Sequence, residues 1–274
     1  MSRNQTIRIT DRIDDFFAES RYLSKGRTIN VLSILVGILV WQVASQSLGA
    51  VILAPPSAVI AKTYELVISM ELVSAAIGSF QTLLLGYVIS IVVAVPLGFA
   101  LGQSKYVLWA LNPYIDAVYT SPPIVYLPLV VVWFGLGLGG RVFFVFMFCF
   151  FEILINTYQG ITVTNEKYLD VGRAFGASWW TTQRKIVLPA ALPFIFTGLR
   201  LGIGRAVRGV IVAELFLRLV NLGRLMSNAG MVLNTSVQLS VIITIALMGV
   251  VLQRVVLYAA HRSAPWYYAS GAQG

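Results

Sequence analysis

Three arginines interrupt an apolar stretch, residues 192–216, that is otherwise long and apolar enough to cross a membrane. They are Arg200, Arg205 and Arg208. Insertion scales put the cost of an ionisable residue inside a membrane at roughly 2.5–3.5 kcal/mol, so such residues usually face a cavity or a partner. Arg205 and Arg208 are three residues apart, hence on one helical face, with no acid of their own nearby in the sequence. Two cations on one face predict a pathway that favours an anion.

Four prolines break an earlier apolar run, residues 108–134. We expect a short helix, an irregular crossing that contains Ser121, Pro122 and Pro123, and then a second helix. Broken backbone at membrane depth is tolerated only where protein or a water-filled cavity covers it, so this break is predicted to lie against a pathway or a partner helix. A structural alternative for the two central arginines is to donate hydrogen bonds to the backbone at this break.

Little in the sequence suggests catalysis. His261 is the only histidine and Cys149 the only cysteine, which leaves no metal site, no intrachain disulfide and little general-base chemistry. The sequence has no G-x-x-x-x-G-K-[ST] loop to hold the phosphates of a nucleotide, so we expect no ATP hydrolysis and no cofactor in this chain. Glu214 and Arg218 are four residues apart, in the order that favours an ordinary helical ion pair.

A polar segment, residues 165–189, separates two apolar runs and carries four basic residues. Its first half has helical composition and meets Gly176, a residue that takes positive φ at low cost and can end a helix. Ser178 is a good N-cap for a second helix, which would continue through Trp179 and Trp180. We therefore predict a compact helix–turn–helix that is shaped to be held by a partner.

Composition places these features in a membrane protein. The chain has 274 residues, of which 58% are hydrophobic and 11% charged, whereas soluble domains carry about 25% charged residues. A membrane crossing needs about 20 apolar residues, which predicts an all-α protein with six spans. These are residues 29–48, 79–101, 108–134, 142–162, 192–216 and 236–260. Glycines spaced G-x-x-x-G, at 98 and 102 and at 198 and 202, predict close helix packing.

The basic residues predict the orientation. Six precede the first span, Lys105 lies in the first connection on that side, four lie in the polar segment, and Arg254 and Arg262 lie near the end of the chain, which makes thirteen. The opposite side has four. The positive-inside rule then places both termini and the polar segment in the cytoplasm. We expect cytoplasmic tails at 1–28 and 263–274 around a membrane domain at 29–262. The same rule explains the net charge of +9 without a nucleic-acid partner.

The polar segment also carries a sequence pattern. It resembles the EAA loop of binding-protein-dependent ABC importer permeases, which reads E-A-A, three residues, G, nine residues, I-x-L-P. Gly176, Ile186, Leu188 and Pro189 match this pattern, while Asp170, Val171 and Gly172 stand at the E-A-A positions. Further similarity to the nitrate, sulfonate and taurine branch covers LAPPSAV at 53–59, SPPIVYLPLVVVWFG at 121–135 and GLRLGIGRAVRGVIVAEL at 198–215.

This resemblance implies a type I ABC importer permease fold with cytoplasmic coupling helices in a bacterial inner membrane. It implies a homodimer, two copies of a separate ATPase that binds ATP and Mg, an extracytoplasmic solute-binding protein, and surrounding membrane lipids. The solute would be a small anion of the sulfonate, nitrate, taurine or carboxylate type. The residues expected to contact the ATPase are Asp170, Arg173, Phe175, Gly176, Trp179, Trp180, Ile186, Leu188 and Pro189. The competing explanation for the tryptophans is a position at the lipid interface.

Two other classes of function remain as alternatives. An integral-membrane enzyme would need clustered Asp, His or Glu at a membrane face, and the sequence has no such cluster. A passive channel or secondary carrier would leave the polar segment without a role.

Overall fold

The computed structural model of the chain describes residues 9–164, 166–217 and 219–266, and the regular elements in these ranges are all helical. The helices are α1 (Ile9–Leu48), α2 (Pro56–Ile68), α3 (Glu71–Gly102), α4 (Lys105–Thr120), α5 (Leu127–Phe134), α6 (Leu138–Thr162), α7 (Glu166–Ala174), α8 (Trp179–Thr182), α9 (Leu188–Phe216), α10 (Asn221–Met231) and α11 (Thr235–Ser263). A 3₁₀ turn (Pro123–Tyr126) precedes α5, and a π-helical turn (Gln183–Val187) joins α8 to α9.

Among the described residues, five helical stretches are long and apolar enough to cross a membrane, and a bent pair makes a sixth if it counts as one span. The predicted all-α membrane architecture is therefore confirmed. The first span is part of a longer helix than expected, because α1 already begins at Ile9 and no proline interrupts it before Leu48.

The bent pair is the span that the prolines were expected to break. Lys105–Thr120 and Pro123–Phe134 meet at an angle of 92°. The Ser121 hydroxyl turns back to donate a hydrogen bond to the Ala117 carbonyl at 2.7 Å, and Pro122 has no N–H with which to extend the helix. The predicted order of helix, break and second helix is confirmed.

The centre of the fold is a packing of α6 against α3 and α9. Glycines permit it, since a Cβ at position 98 would lie 2.8 Å from the Thr157 Cβ, and one at position 198 would lie 2.7 Å from the Asn156 Cβ. Positions 102 and 202 approach Ile161 and Ile153 in the same way. The glycine pairs thus serve helix packing, as their spacing predicts.

The buried carboxylate of Glu214 fixes the C-terminal end of α9. Glu214 is fully buried and accepts hydrogen bonds from the Ser79 hydroxyl at 2.7 Å, the Asn221 side-chain amide at 2.9 Å and the Gly223 N–H at 3.1 Å. These contacts hold α10 against α3 and α9. Arg218, the predicted partner of Glu214, lies outside the described residues.

Candidate coupling segment and translocation pathway

The turn in the polar segment has the geometry of a helix C-cap. Gly176 has φ of +70°, and its N–H donates to the Arg173 carbonyl at 2.9 Å. The Ala177 N–H donates to the Gly172 carbonyl, also at 2.9 Å. This pair of bonds is the Schellman motif, which closes α7 with a residue in the left-handed region. The prediction that Gly176 ends a helix at positive φ is confirmed.

The second helix begins as expected but does not end where expected. The Ser178 hydroxyl accepts a hydrogen bond from the Thr181 N–H at 3.3 Å, which confirms it as the N-cap of α8. The helix then continues without a break into the predicted span, so that Trp179–Phe216 forms one helical stretch of 38 residues. The sequence did not predict that the second helix of the polar segment would be continuous with the helix of the span at 192–216.

The π-helical turn explains the continuity. Pro189 lacks an N–H and its ring crowds the carbonyl four residues earlier, which would kink a regular α-helix. The π turn widens the helix just before this proline, and the Leu188 N–H donates to the Gln183 carbonyl five residues back. The chain therefore passes the proline while remaining helical.

The polar segment packs on itself with small and aliphatic side chains. A Cβ at position 172 would lie 2.9 Å from the Ile186 Cδ1, so α7 sits close against the π turn. Asp170 and Arg173 form an exposed ion pair, with 3.2 Å between Oδ1 and Nη1. The Gln103 side-chain amide, in the turn between α3 and α4, donates to the Gln183 side-chain oxygen at 2.8 Å, a contact that sequence reasoning missed. The segment is thereby held to the end of α3.

The aromatic side chains of the segment point away from the chain. Phe175 is 86% exposed, Trp180 is 75% exposed, and Trp179 is exposed beside it with 5.1 Å between the two indole centroids. Leu188 lies at the border between exposed and half-buried, and Pro189 is half-buried. The residues expected to contact an ATPase thus include a compact set of exposed aromatic rings.

Arg205 has an acidic partner, contrary to the sequence expectation. Its Nε donates to the Glu152 carboxylate at 3.0 Å, and its Nη2 donates to the Tyr119 hydroxyl at 3.1 Å. The Tyr119 hydroxyl also donates to Glu152 at 3.1 Å. The pair was missed because α6 and α9 bring together residues that are 53 positions apart. Glu152 is the only acidic residue in the predicted span 142–162, a signal that could have identified it.

The contacts of Arg205 also bear on the alternative that the central arginines donate hydrogen bonds to the backbone at the proline break. Arg205 donates to Tyr119 and Glu152, and within the described residues it has no bond to the backbone at the proline break. Pro123, Arg205 and Arg208 instead line one small cavity of about 70 Å³. The broken span and both predicted pathway arginines therefore meet at one place.

A larger cavity, about 430 Å³, lies between α9 and α11. Arg200 and Arg208 are exposed along it, and Gln253 contributes from α11. Arg208 lines both cavities and so lies between them. In the described ranges no three His, Cys, Asp or Glu side chains are arranged to hold a metal ion. The arrangement therefore offers fixed positive charge and hydrogen-bond donors, which suit an anion.

Comparison with known proteins gives the family. A profile of the binding-protein-dependent transport system inner membrane component family matches residues 86–264, which is 179 of 274 residues. The taurine transport system permease protein of Escherichia coli is 28% identical over 252 residues, covering 89% of this chain and 92% of that protein.

Two further relatives are both named nitrate import permease protein. The nitrate import permease protein of Synechocystis sp. is 29% identical over 229 residues, covering 80% of this chain and 82% of that protein. The protein of the same name from Leptolyngbya laminosa is 29% identical over 187 residues, covering 68% of this chain and 67% of that protein. Together with the all-α membrane architecture, these matches show the type I ABC permease fold. The chain belongs to the family of binding-protein-dependent transport system inner membrane components.

Proposed function

We propose that the chain lines the membrane pathway of an ATP-driven importer for a small anionic solute. The observation that supports this most directly is the continuous helix Trp179–Phe216. One end of it carries the exposed aromatics of the polar segment, and its middle carries the arginines. A partner that moves the polar segment would therefore move the charged turns directly.

The polar segment docks into an ATPase subunit. Phe175, Trp179 and Trp180 are exposed large aromatics, and aromatic residues commonly anchor protein interfaces. The assembly contains two copies of this chain and two ATPase subunits, which bind ATP and Mg, with a solute-binding protein on the opposite face. ATP-driven closure of the ATPase pair would tilt the spans as rigid bodies between two access states. The alternative for the tryptophans is burial at the lipid interface.

The pathway passes the proline break and the arginines. Ser121, Pro122 and Pro123 form the break, and Pro123 shares a cavity with Arg205 and Arg208. Glu152 neutralises Arg205, which leaves Arg208 as the stronger candidate for contact with an anion. Taurine and nitrate, in the names of the relatives, are different small solutes with negatively charged oxygens, so this scaffold does not fix one ligand.

Uptake into proteoliposomes tests the function. The chain is copurified with its ATPase and reconstituted with its solute-binding protein, and uptake of labelled taurine and of nitrate is compared with uptake of choline and glucose. We expect ATP-dependent accumulation of taurine or nitrate, which carry negatively charged oxygens, and none of choline or glucose. Gly176→Glu should abolish uptake and ATPase copurification together, because the turn that presents the aromatics would be lost. An unchanged complex and unchanged uptake in this variant would contradict docking at the polar segment.

Cysteine labelling tests the orientation. Cys149 is buried, so Cys149→Ser gives a background in which single cysteines can be placed at Ser24 and Ser263. With both termini cytoplasmic, neither site reacts with an impermeant reagent added to intact cells, and both react after the cells are opened. Reaction at either site in intact cells would overturn the topology.

A further inference from the structure

The cavity between α9 and α11 is built differently from the packed faces of α9. Arg200, Gly204 and Arg208 follow one another at intervals of four residues and line it along a single helical face. The two arginine Cα atoms are separated by eight residues, about 12 Å along the helix axis. A volume of about 430 Å³ is sufficient for a small solute.

Gly204 separates the two arginines without serving helix packing. A Cβ at position 204 would meet no atom within 4 Å. A Cβ at positions 198, 202 or 209 of the same helix would press against α6, at 2.7 to 3.0 Å from its nearest atoms. The absence of a side chain at Gly204 therefore leaves open space between two guanidinium groups.

The charge in this cavity is uncompensated in the described structure. Neither Arg200 nor Arg208 takes part in an ion pair or a side-chain hydrogen bond among the described residues, whereas Arg205 is paired with Glu152. Bare guanidinium groups facing lipid cost several kcal/mol on insertion scales, so a hydrated cavity with an anion is the more favourable environment. The other polar lining groups, Gln253 and Thr197, are neutral hydrogen-bonding side chains.

We infer that this cavity is a binding site for the oxyanion group of the solute, a sulfonate, carboxylate or nitrate, with Arg200 and Arg208 as the donors on either side of Gly204. The inference rests on the proposed function, since it assigns the contact surface of the same pathway. Planar guanidinium groups suit such groups because they donate two parallel hydrogen bonds to paired oxygens. Gln253 donates a further hydrogen bond from α11 and Arg208 connects the site to the smaller cavity at the proline break.

A charged thiol reagent tests the site without knowledge of the natural solute. Gly204→Cys is made in the Cys149→Ser background, and the assembled complex with its ATPase is placed in phosphatidylcholine nanodiscs. It is treated with a sulfonate-bearing methanethiosulfonate or with the trimethylammonium-bearing equivalent. Each rate is divided by the rate of the same reagent with a small free thiol, which removes the difference in intrinsic reactivity. On this scale we expect the anionic reagent to react about tenfold faster, because two positive charges lie near the thiol. Ethanesulfonate should slow the reaction.

Matched variants distinguish an anion-binding site from a general positive electrostatic potential of the protein. Arg200→Gln together with Arg208→Gln should bring the two reaction rates to within about threefold of each other. Arg254→Gln, which removes an exposed charge that does not line the cavity, should leave the ratio unchanged. Leu247→Cys, on an exposed apolar part of α11, should react slowly with both reagents.

Three results would overturn the inference. Equal normalised rates for the two reagents would show a hydrated cavity without an anion site. Protection by nanodiscs that contain phosphatidylglycerol, without protection by ethanesulfonate, would assign the arginines to a lipid phosphate. Absence of reaction in the complex, both at Gly204→Cys and at a second reporter, Gln253→Cys, would show that protein covers the cavity. The labelling needs neither ATP nor uptake, so failed uptake with intact anion preference would count against the proposed function alone.

Discussion

The ion pair between Glu152 and Arg205 should be one of the stronger side-chain contacts holding α6 to α9. The Arg205 Nε and the Glu152 Oε2 are 3.0 Å apart, the carboxylate side chain is only 12% exposed, and the arginine side chain is 41% exposed. Tyr119 adds its hydroxyl to both partners. The perturbation is a double-mutant cycle with Glu152→Gln, Arg205→Gln and the combined variant, which removes the charges while keeping polar side chains at both positions.

The expected coupling follows from this partial burial. Two unit charges at 3.0 Å attract by about 5.5 kcal/mol at an effective dielectric of about 20, before desolvation is subtracted. Exposed pairs retain about 0.2–1 kcal/mol, and removing one partner of a fully buried pair costs about 3–5 kcal/mol. With the carboxylate mostly buried and the arginine half-exposed, we expect a coupling free energy of about 2 kcal/mol.

The free energy of unfolding of each variant is measured by titration with sodium dodecyl sulfate in mixed micelles, with the loss of helical circular dichroism as the signal. The ion pair between Lys62 and Glu65 on α2 is a matched control. It is shorter, at 2.7 Å, but the Glu65 side chain is 66% exposed, so its coupling should stay below about 0.5 kcal/mol. If the Glu152 cycle gave no more coupling than this control, burial would not be what strengthens the contact, and the reasoning would be refuted.

Three further predictions concern single positions. Gly86→Ala should lower the free energy of unfolding by about 1–3 kcal/mol in the same assay, because the new Cβ would lie 2.7 Å from the Val145 Cβ. As a control, Gly137→Ala should change the free energy of unfolding by less than about 0.5 kcal/mol, because its Cβ would meet no atom within 4 Å. Gly176→Val should weaken ATPase binding at least fivefold in a titration with the purified ATPase, since a β-branched residue resists positive φ, whereas Gly176→Asn should stay within about threefold of the parent. Glu214→Gln should lower the free energy of unfolding by about 1–3 kcal/mol, because an amide would face donors that now meet a carboxylate, and an unchanged unfolding midpoint would contradict this.

Structural features that depend on a few neighbouring residues could be predicted from the sequence. The break near Pro122 follows from the missing N–H, the turn at Gly176 from the freedom of glycine at positive φ, and the N-cap at Ser178 from its short hydroxyl side chain. Each depends on a few neighbouring residues, so composition and spacing were sufficient. The number of spans followed from the apolar runs for the same reason.

Contacts between distant residues were not readable in this way. Nothing local to Arg205 indicates Glu152, because the packing of α6 on α9 brings the two together. The continuity of α8 with α9 was missed for a different reason. Pro189 normally ends or kinks a helix, and only the π turn, a backbone adjustment without a sequence signature of its own, lets the helix continue.

The unbroken helix Trp179–Phe216 has the mechanical character of a lever. Its close approaches to α6 run from Phe194, opposite Gly160, to Gly209, opposite Phe148, and Gly202 near the middle of this range is the natural fulcrum. At 1.5 Å per residue, the arm from Gly202 to Trp179 is about 35 Å and the arm to Phe216 is about 21 Å. A rigid helix pivoting there moves its two ends in opposite directions, with the Phe216 end travelling about three fifths as far as the Trp179 end. A push at the aromatic end would therefore move the other end, with the contacts that Glu214 makes to Ser79 and Asn221, in the opposite direction.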